Sequence, residues 1–144
     1  MTEFNHPELI KGNNHSDNRG TLSYFNDLDL TEVKRFYIIE HPETKIIRAW
    51  QGHKIEQKWF HILNGTFKMI IVKVDNWDHP SDTLNFKEYN LTAKENIVIH
   101  VPGGYATGFQ ANEAGSRLMV FSDKSLDDSK NDDYRFPKEL WYKW

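Results

Sequence analysis

The stretch from Arg48 to Gly65 contains two residues whose types and spacing could move a proton, His53 and Lys58. Histidine titrates near neutrality, so it suits the role of a general base. Alternate side chains of a strand point to one face, so Gln51 and His53 are expected to face the same side. A lysine near that side lowers the pKa of His53, which keeps the imidazole neutral and able to accept a proton.

The spacing alone leaves a second interpretation of His53, an interior histidine that only makes hydrogen bonds. His61 and His100 lie within strand patterns and are interpreted as structural. The remaining histidines fall in polar segments and are expected to be solvated; they are His6, His15, His41 and His79.

A second segment of interest follows the apolar run from Ile97 to Val101. It begins at Pro102 and continues through Gly103 and Gly104. Two adjacent glycines allow the backbone to bend sharply and to come close to a ligand. We therefore expect this segment to border a binding site.

Short β-branched and aromatic runs separated by turn residues dominate the chain. Many short strands and few helical patterns predict an all-β fold, a jelly roll or double-sheet barrel. Asn64-Gly65 lies between two apolar runs, 59–63 and 67–74, and is the strongest short signal for a β-hairpin. The turn at Asn18-Arg19 is expected to lead into another strand.

The composition limits the classes of protein to which the chain can belong. The 144 residues contain no cysteine, which excludes disulfides and thiolate metal sites, and they predict one domain over 1–144. The formal net charge of −3 gives no basic footprint for nucleic acid. No apolar stretch approaches the roughly 20 residues of a membrane helix. The N-terminus lacks a signal-peptide pattern, so we expect a cytoplasmic protein without a membrane partner.

The two ends of the chain differ from its middle. Residues 1–16 are polar, contain a loop signal at 12–14, and predict an N-terminal arm. Residues 123–144 form a C-terminal extension whose last part is dense in aromatic side chains, including Trp141 and Trp144. An exposed tail would not keep these side chains in water, so it should pack on the barrel or on a second subunit.

The Arg48–Gly65 stretch resembles the metal-binding template of the cupin barrels, in which two histidines and a glutamate precede a glycine. His53 matches the second histidine, but Gln51 replaces the first and Lys58 replaces the glutamate. Thr107 replaces the histidine of the second template segment. Metal ions prefer imidazole and carboxylate ligands, and a lysine cation opposes their charge. The resemblance implies a cupin-type jelly roll (a double-stranded β-helix barrel) with a pocket and no metal or other cofactor.

The same residues resemble the sugar-nucleotide cupins, namely the dTDP-4-dehydrorhamnose 3,5-epimerases and the dTDP-4-keto-6-deoxyglucose 3,4-ketoisomerases. Lys58 is similar to the epimerase lysine, whereas His53-Lys54 is similar to the ketoisomerase pair. The segment ending in Arg19-Gly20 and the aromatic tail resemble the epimerases. The resemblance implies a nucleotide-sugar substrate and a homodimer. The substrate-binding residues that it implies are Arg19, Arg48, Gln51, Tyr105 and Thr107.

Both families begin by removing a proton from the carbon beside a ketone. The resemblance assigns His53 as the base and Lys58 as the group that stabilises the enolate oxygen. The epimerase base matches Gln51, its second histidine matches Thr107, and its acid tyrosine falls near 119–120, where no tyrosine stands. A ketoisomerase-like 1,2 proton shift therefore fits these residues better than double epimerisation.

Two alternatives to an isomerase remain open. One is a sugar-nucleotide-binding cupin that has lost catalysis together with the epimerase acid–base pair. The other is a jelly roll that serves structure or partner binding without a small ligand. Convergence of Arg19, Arg48 and Lys58 on one cavity would favour a diphosphate site over the last alternative.

Overall fold

The computed structural model describes residues 6–144 and places nearly all of its regular structure in short strands. The strands are β1 Glu8–Lys11, β2 Asn13–Asp17, β3 Gly20–Tyr24, β4 Arg35–His41, β5 Ile47–His53, β6 Lys58–Asn64, β7 Thr66–Lys73, β8 Phe86–Thr92, β9 Ile97–Val101, β10 Tyr105–Ala111, β11 Ser116–Ser122 and β12 Tyr134–Arg135. A helix, α1, spans Leu126–Lys130. Within residues 6–144, no helix has the length and apolar character needed to cross a membrane.

Two five-stranded antiparallel sheets form the body of the fold. The first has the order β1-β9-β6-β11-β4, and the second has the order β12-β5-β10-β7-β8. Alternate apolar side chains of both sheets meet in one core, in which Phe67, Ile99 and Leu118 are fully buried. This arrangement confirms the prediction of an all-β jelly roll built from two facing sheets.

The predicted hairpin around Asn64-Gly65 is wrong. β6 pairs with β9 and β11, whereas β7 pairs with β10 and β8, so the turn carries the chain from one sheet to the other. Gly65 has a φ of +76°, and a Cβ at this position would collide with Oγ of Ser116. An inward-facing alternation of apolar residues is the same in a hairpin as in a crossing between sheets, so the pattern does not distinguish the two.

The N-terminal segment is more ordered than the predicted arm. β1 pairs with β9 of its own chain, and residues 13 and 14, expected in a loop, begin β2. Within residues 6–144, β2 and β3 pair only with each other, through the predicted turn at Asn18-Arg19, and nearly all their side chains are exposed. Residues 1–5 lie outside the described residues.

A second apolar cluster lies on the outer face of the second sheet, under the C-terminal extension. Trp50, Val72 and Ala106 are fully buried there against Trp141. The indole N–H of Trp50 donates to the carbonyl oxygen of Leu140 at 3.0 Å. The tail therefore packs on the barrel of its own chain.

The outer face of the first sheet differs from that of the second. Phe36 and Ile38 on β4 are 60% and 43% exposed. In register beside them on β11 stand Phe121 and Met119, which are half-buried. The first sheet thus presents apolar side chains to solvent where the second sheet is covered.

Candidate active site

A cavity of about 510 Å³ opens between the two sheets and is bordered by the C-terminal extension. Its volume falls within the range of roughly 300–1,000 Å³ that small-molecule sites occupy. Strands β4, β5, β6, β10 and β11 contribute its walls, and α1 and β12 contribute its rim. It is lined by Arg35, Tyr37, Ile39, Ile47, Arg48, Ala49, Trp50, Gln51, Lys58, Phe60, Thr107, Phe109, Val120, Leu126, Ser129, Lys130, Asp133, Arg135 and Phe136.

The charged side chains of this cavity are mostly cationic. The cations are Arg35, Arg48, Lys58, Lys130 and Arg135, and Asp133 is the acidic residue among the lining. Such an excess suits an anionic ligand, and arginines bind phosphate oxygens in a bidentate manner. The sequence predicted two of these cations; the other three come from the edge strand β4 and the C-terminal extension.

A small recess of about 10 Å³ adjoins the cavity. Gln51, Lys58, Phe60 and Thr107 line both hollows, so they form the common wall. The recess is also lined by His53, Glu56, Val101, Pro102 and Tyr105.

The template positions Gln51, His53, Lys58 and Thr107 therefore converge as the sequence predicted. Among residues 6–144, no group of three or more histidine, aspartate or glutamate side chains is arranged to hold a metal ion. Glutamine, lysine and threonine are poor partners for a transition metal, so the residues present do not fit one.

His53 is held in one tautomer. Its Nδ1–H donates to the carbonyl oxygen of Asp132 at 2.6 Å, so in the neutral ring the lone pair resides on Nε2. Nε2 is buried and has no hydrogen-bond partner among residues 6–144. Burial lowers the pKa of His53, the nearby Lys58 ammonium lowers it further, and Glu56 and Asp132 oppose the shift. The predicted direction is confirmed, although burial contributes more than the lysine does.

Lys58 is 5% exposed, and its ammonium lies at the wall shared by the two hollows. Nζ donates to Oε1 of Gln51 at 3.0 Å and lies 3.8 Å from Oε2 of Glu56. It also stands 5.7 Å from the ring centre of Tyr37. A cation held in this way can stabilise negative charge on a ligand oxygen.

Glu56 is a site residue that the sequence reasoning missed. Its carboxylate is fully buried, and the nearest signal in the sequence was its position three residues after His53. Oε1 lies 3.7 Å from Nδ1 of His53, and Oε2 accepts a hydrogen bond from Ser122 at 2.9 Å. Acidic side chains are almost never fully buried unless they are paired, so the surrounding cations explain this burial.

The loop between β5 and β6 is held by Asp132, which also escaped the sequence reasoning. Its carboxylate accepts the backbone N–H groups of Lys54, Ile55 and Glu56 at 2.8, 2.9 and 2.9 Å. One residue therefore orients both the His53 ring and the loop that carries Glu56. No local pattern predicts this link, because Asp132 lies 79 residues after His53.

The glycines at 103–104 act differently from the prediction. Gly104 has a φ of +99°, which confirms the sharp bend. A Cβ on Gly103 would lie 2.6 Å from the carbonyl oxygen of Lys54, so the close approach is to the β5–β6 loop. The segment supports the loop beside His53, and its Tyr105 lines the recess.

The structure places Arg19 and His41 differently from the sequence predictions. Arg19 does not line either hollow of its own chain; its side chain is 84% exposed and is paired with Asp17 at 2.6 Å on the β2–β3 hairpin. His41 is not solvated: it ends β4 and is 1% exposed, with its ring stacked on Phe109. His41 is buried because β4 continues to this residue and turns its side chain toward the core. The sequence prediction had placed residues 41–44 in a loop.

No family model matches the sequence, and no curated protein matches it. Solved structures do match the fold. A dTDP-4-dehydrorhamnose 3,5-epimerase from Bacillus anthracis, with TDP and PPi bound, shares 21% identity over 100% of this chain and 87% of that chain, with a TM-score of 0.78. A 3,4-ketoisomerase from Helicobacter canadensis shares 19% identity over 90% of each chain, with a TM-score of 0.71.

A third similar structure is a variant of the 3,4-ketoisomerase from Thermoanaerobacterium thermosaccharolyticum in complex with TDP-4-keto-6-deoxyglucose. It shares 20% identity over 94% of this chain and 90% of that chain, with a TM-score of 0.71. The chain thus has the cupin-type fold of sugar-nucleotide epimerases and ketoisomerases, as its motifs indicated.

Proposed function

We propose that this chain is an isomerase of a nucleotide-linked 4-keto-6-deoxy hexose, with a dTDP-linked sugar as the expected substrate. The observation that carries the proposal concerns Nε2 of His53, which has no hydrogen-bond partner among residues 6–144. His53 lies near Lys58 in the recess that adjoins the cation-rich cavity. A proton transfer beside a ketone needs a neutral base and a nearby group that stabilises the enolate. The fold shared with the epimerases and ketoisomerases supports the same class of substrate.

The reaction begins with proton abstraction by Nε2 of His53. The proton leaves the carbon beside the ketone, and the electrons of that C–H bond form the enolate, whose oxygen faces Lys58. The hydroxyl proton on the first carbon then passes to the former ketone oxygen, and His53 returns its proton to the former carbonyl carbon. The ketone thereby moves by one position, which is a ketoisomerisation. One base can perform this shift on one face of the sugar, so it fits a site with a single unpartnered imidazole nitrogen.

The cationic cavity supplies the binding energy for the diphosphate. Arg48 contributes a guanidinium to it, while Gln51 and Thr107 offer neutral hydrogen-bonding groups and Tyr105 borders the recess. The newly found Arg35 and Arg135 extend the cationic surface. Arg19 stands outside this cavity, so it could meet the diphosphate only in the cavity of a second copy of the chain.

Tyr37 provides a phenol near the place where the epimerase tyrosine is missing. It lines the cavity and pairs in register with Val120 on β11. Epimerisation needs an acid that delivers a proton to the opposite face from the base. Tyr37 is therefore the acid in a second candidate reaction, an epimerisation.

Deuterium exchange from solvent tests the proposal. Wild-type protein is incubated in D₂O with several TDP-4-keto-6-deoxy hexoses, and each ring carbon is followed by NMR. Incorporation beside the ketone, with or without a moved carbonyl, is the expected result. Tight TDP binding without exchange in any of these sugars would favour the non-catalytic binding protein, and absence of both would contradict a sugar-nucleotide function.

A further inference from the structure

Glu56 occupies the centre of a buried group of charged side chains between the two sheets. Its side chain is fully buried, and Oε2 lies 3.7 Å from Nη2 of Arg35 and 3.8 Å from Nζ of Lys58. Ser122 donates a third contact to the same oxygen at 2.9 Å. Oε2 is thus satisfied by two cations and a hydroxyl.

The other oxygen is in a different situation. Oε1 lies 3.7 Å from Nδ1 of His53, which is too long for a hydrogen bond, and it has no hydrogen-bond partner among residues 6–144. A buried acceptor without a partner carries a desolvation cost, so its retention calls for an explanation.

We propose that Glu56 is a positioning residue for His53, whose carboxylate provides the countercharge when Nε2 accepts a proton. In the resting site the Nδ1–H bond to Asp132 already fixes the tautomer, so Glu56 is not needed to orient the neutral ring. After proton transfer the imidazolium stands near the Lys58 ammonium, and this repulsion opposes the step. The Oε1 charge of Glu56 offsets it. The inference rests on the proposed role of His53 as a base.

The groups that face His53 come from three parts of the chain. Glu56 and Lys58 come from the β5–β6 loop and β6, Asp132 and Asp133 come from the C-terminal extension, and Tyr105 comes from the paired strand β10. Glu56 and Asp132 favour the protonated ring, whereas Lys58 disfavours it. Removing the Glu56 charge therefore leaves less to oppose the lowering of the His53 pKa by Lys58.

The test is the titration of the His53 ring by NMR in the wild type and in Glu56→Gln, which keeps the shape and removes the charge. The expected result is a lower pKa of His53 in the variant with the same Nδ1–H tautomer. Solvent deuterium exchange is expected to fall at least about tenfold, but less than the about 10²–10⁴-fold loss of a general base. Glu40→Gln removes an exposed carboxylate on β4 and serves as the control.

An unchanged or raised pKa of His53 in folded Glu56→Gln overturns the inference. If that variant does not fold, Glu56→Asp gives the same decision, because it keeps the charge but withdraws it from the ring by one methylene. A lower pKa is again expected, and an unchanged pKa again overturns the role. Failure of the proposed function is distinguishable, because it appears as absent exchange in the wild type while the ring titration still reports on Glu56.

Discussion

The Nδ1–H of His53 donates to the carbonyl oxygen of Asp132 at 2.6 Å, and this bond makes Nε2 the nitrogen that can take a proton. The acceptor is a main-chain atom, so its charge does not change with pH and no side-chain substitution removes it. The tautomer of the candidate base is thus set by the path of the C-terminal extension across the β5–β6 loop.

His53→Asn should abolish most of the proton transfer and spare nucleotide binding. Asparagine can keep a polar contact but cannot accept a proton, so deuterium exchange should fall about 10²–10⁴-fold. The cavity cations are untouched, so TDP affinity measured by calorimetry should stay close to that of the wild type. His79→Asn, at an exposed position, is the control. Exchange at the wild-type rate in His53→Asn would show that another residue is the base.

Tyr37→Phe separates the two candidate reactions. If the chain is an epimerase, the variant should still exchange deuterium at the carbon from which His53 removes a proton. The rate of formation of the inverted sugar should fall by about 10²–10⁴-fold, because the acid is lost. If it is a ketoisomerase, product formation should be nearly unaffected. NMR of the product sugar measures both quantities. Tyr142→Phe, on the outer face of the second sheet, is the control, and a matching loss there would count against a specific role for Tyr37.

Asp132→Asn should destabilise the protein. The two carboxylate oxygens accept three backbone N–H groups, and an amide replaces one acceptor by a donor, which leaves at least one N–H unsatisfied. Such a loss costs about 1–3 kcal/mol in the free energy of unfolding. Urea denaturation measures it, with Asp78→Asn on an exposed loop as the control. Equal stability of the two variants would mean that the loop is not held in this way.

Acid should lower the free energy of unfolding before the carboxylates titrate. Burial lowers the pKa of His41, His53 and His100 in the folded state, with Arg48 and Lys58 adding to the effect at the first two. The unfolded chain therefore binds more protons between these lowered values and about 6.5, so stability rises with pH across that window and is lost as pH falls through it.

His41→Leu isolates one part of this dependence. Both ring nitrogens of His41 are buried without hydrogen-bond partners among residues 6–144, so a proton on this ring is costly in the folded state. Denaturation at about pH 5 and about pH 7.5 should show a smaller difference in the variant than in the wild type. His79→Asn should leave the difference unchanged. An identical pH dependence in His41→Leu would contradict the assignment.

We expect a homodimer that buries the outer face of the first sheet. Phe36 and Ile38 expose apolar surface there, while the tail that could have covered it packs on the other sheet. The β2–β3 hairpin has no strand partner beyond itself within residues 6–144, and an isolated hairpin is marginally stable in water, so contact with a second copy would support it. Light scattering at micromolar concentration should give twice the chain mass.

Ile38→Glu should shift this equilibrium toward the monomer, since a carboxylate in an apolar interface loses its hydration without gaining a partner. Asn90→Glu introduces the same charge on the exposed strand β8 and should leave the dimer intact. A monomeric wild type would contradict the homodimer, and a dimer that tolerates Ile38→Glu would place the interface elsewhere.

The sequence by itself predicted most of the strands from β3 to β11 and the convergence of several candidate site residues. Gln51, His53 and Lys58 could be placed together because strand periodicity and a family template act over a few residues. Thr107 joined them because its segment matched a second part of the same template. The bends at Gly65 and Gly104 were also predictable from the sequence. A positive φ favours glycine whatever strand pairing follows the bend.

Only the tertiary structure decided what surrounds these residues. Whether the turn after β6 closes a hairpin or crosses between sheets depends on which distant strands compete for the same edges. Asp132, Arg35 and Arg135 reach the site from segments that no local spacing links to His53. Glu56 was hidden for the same reason, because its burial is tolerated only when cations from β4 and β6 and the Ser122 hydroxyl meet its carboxylate.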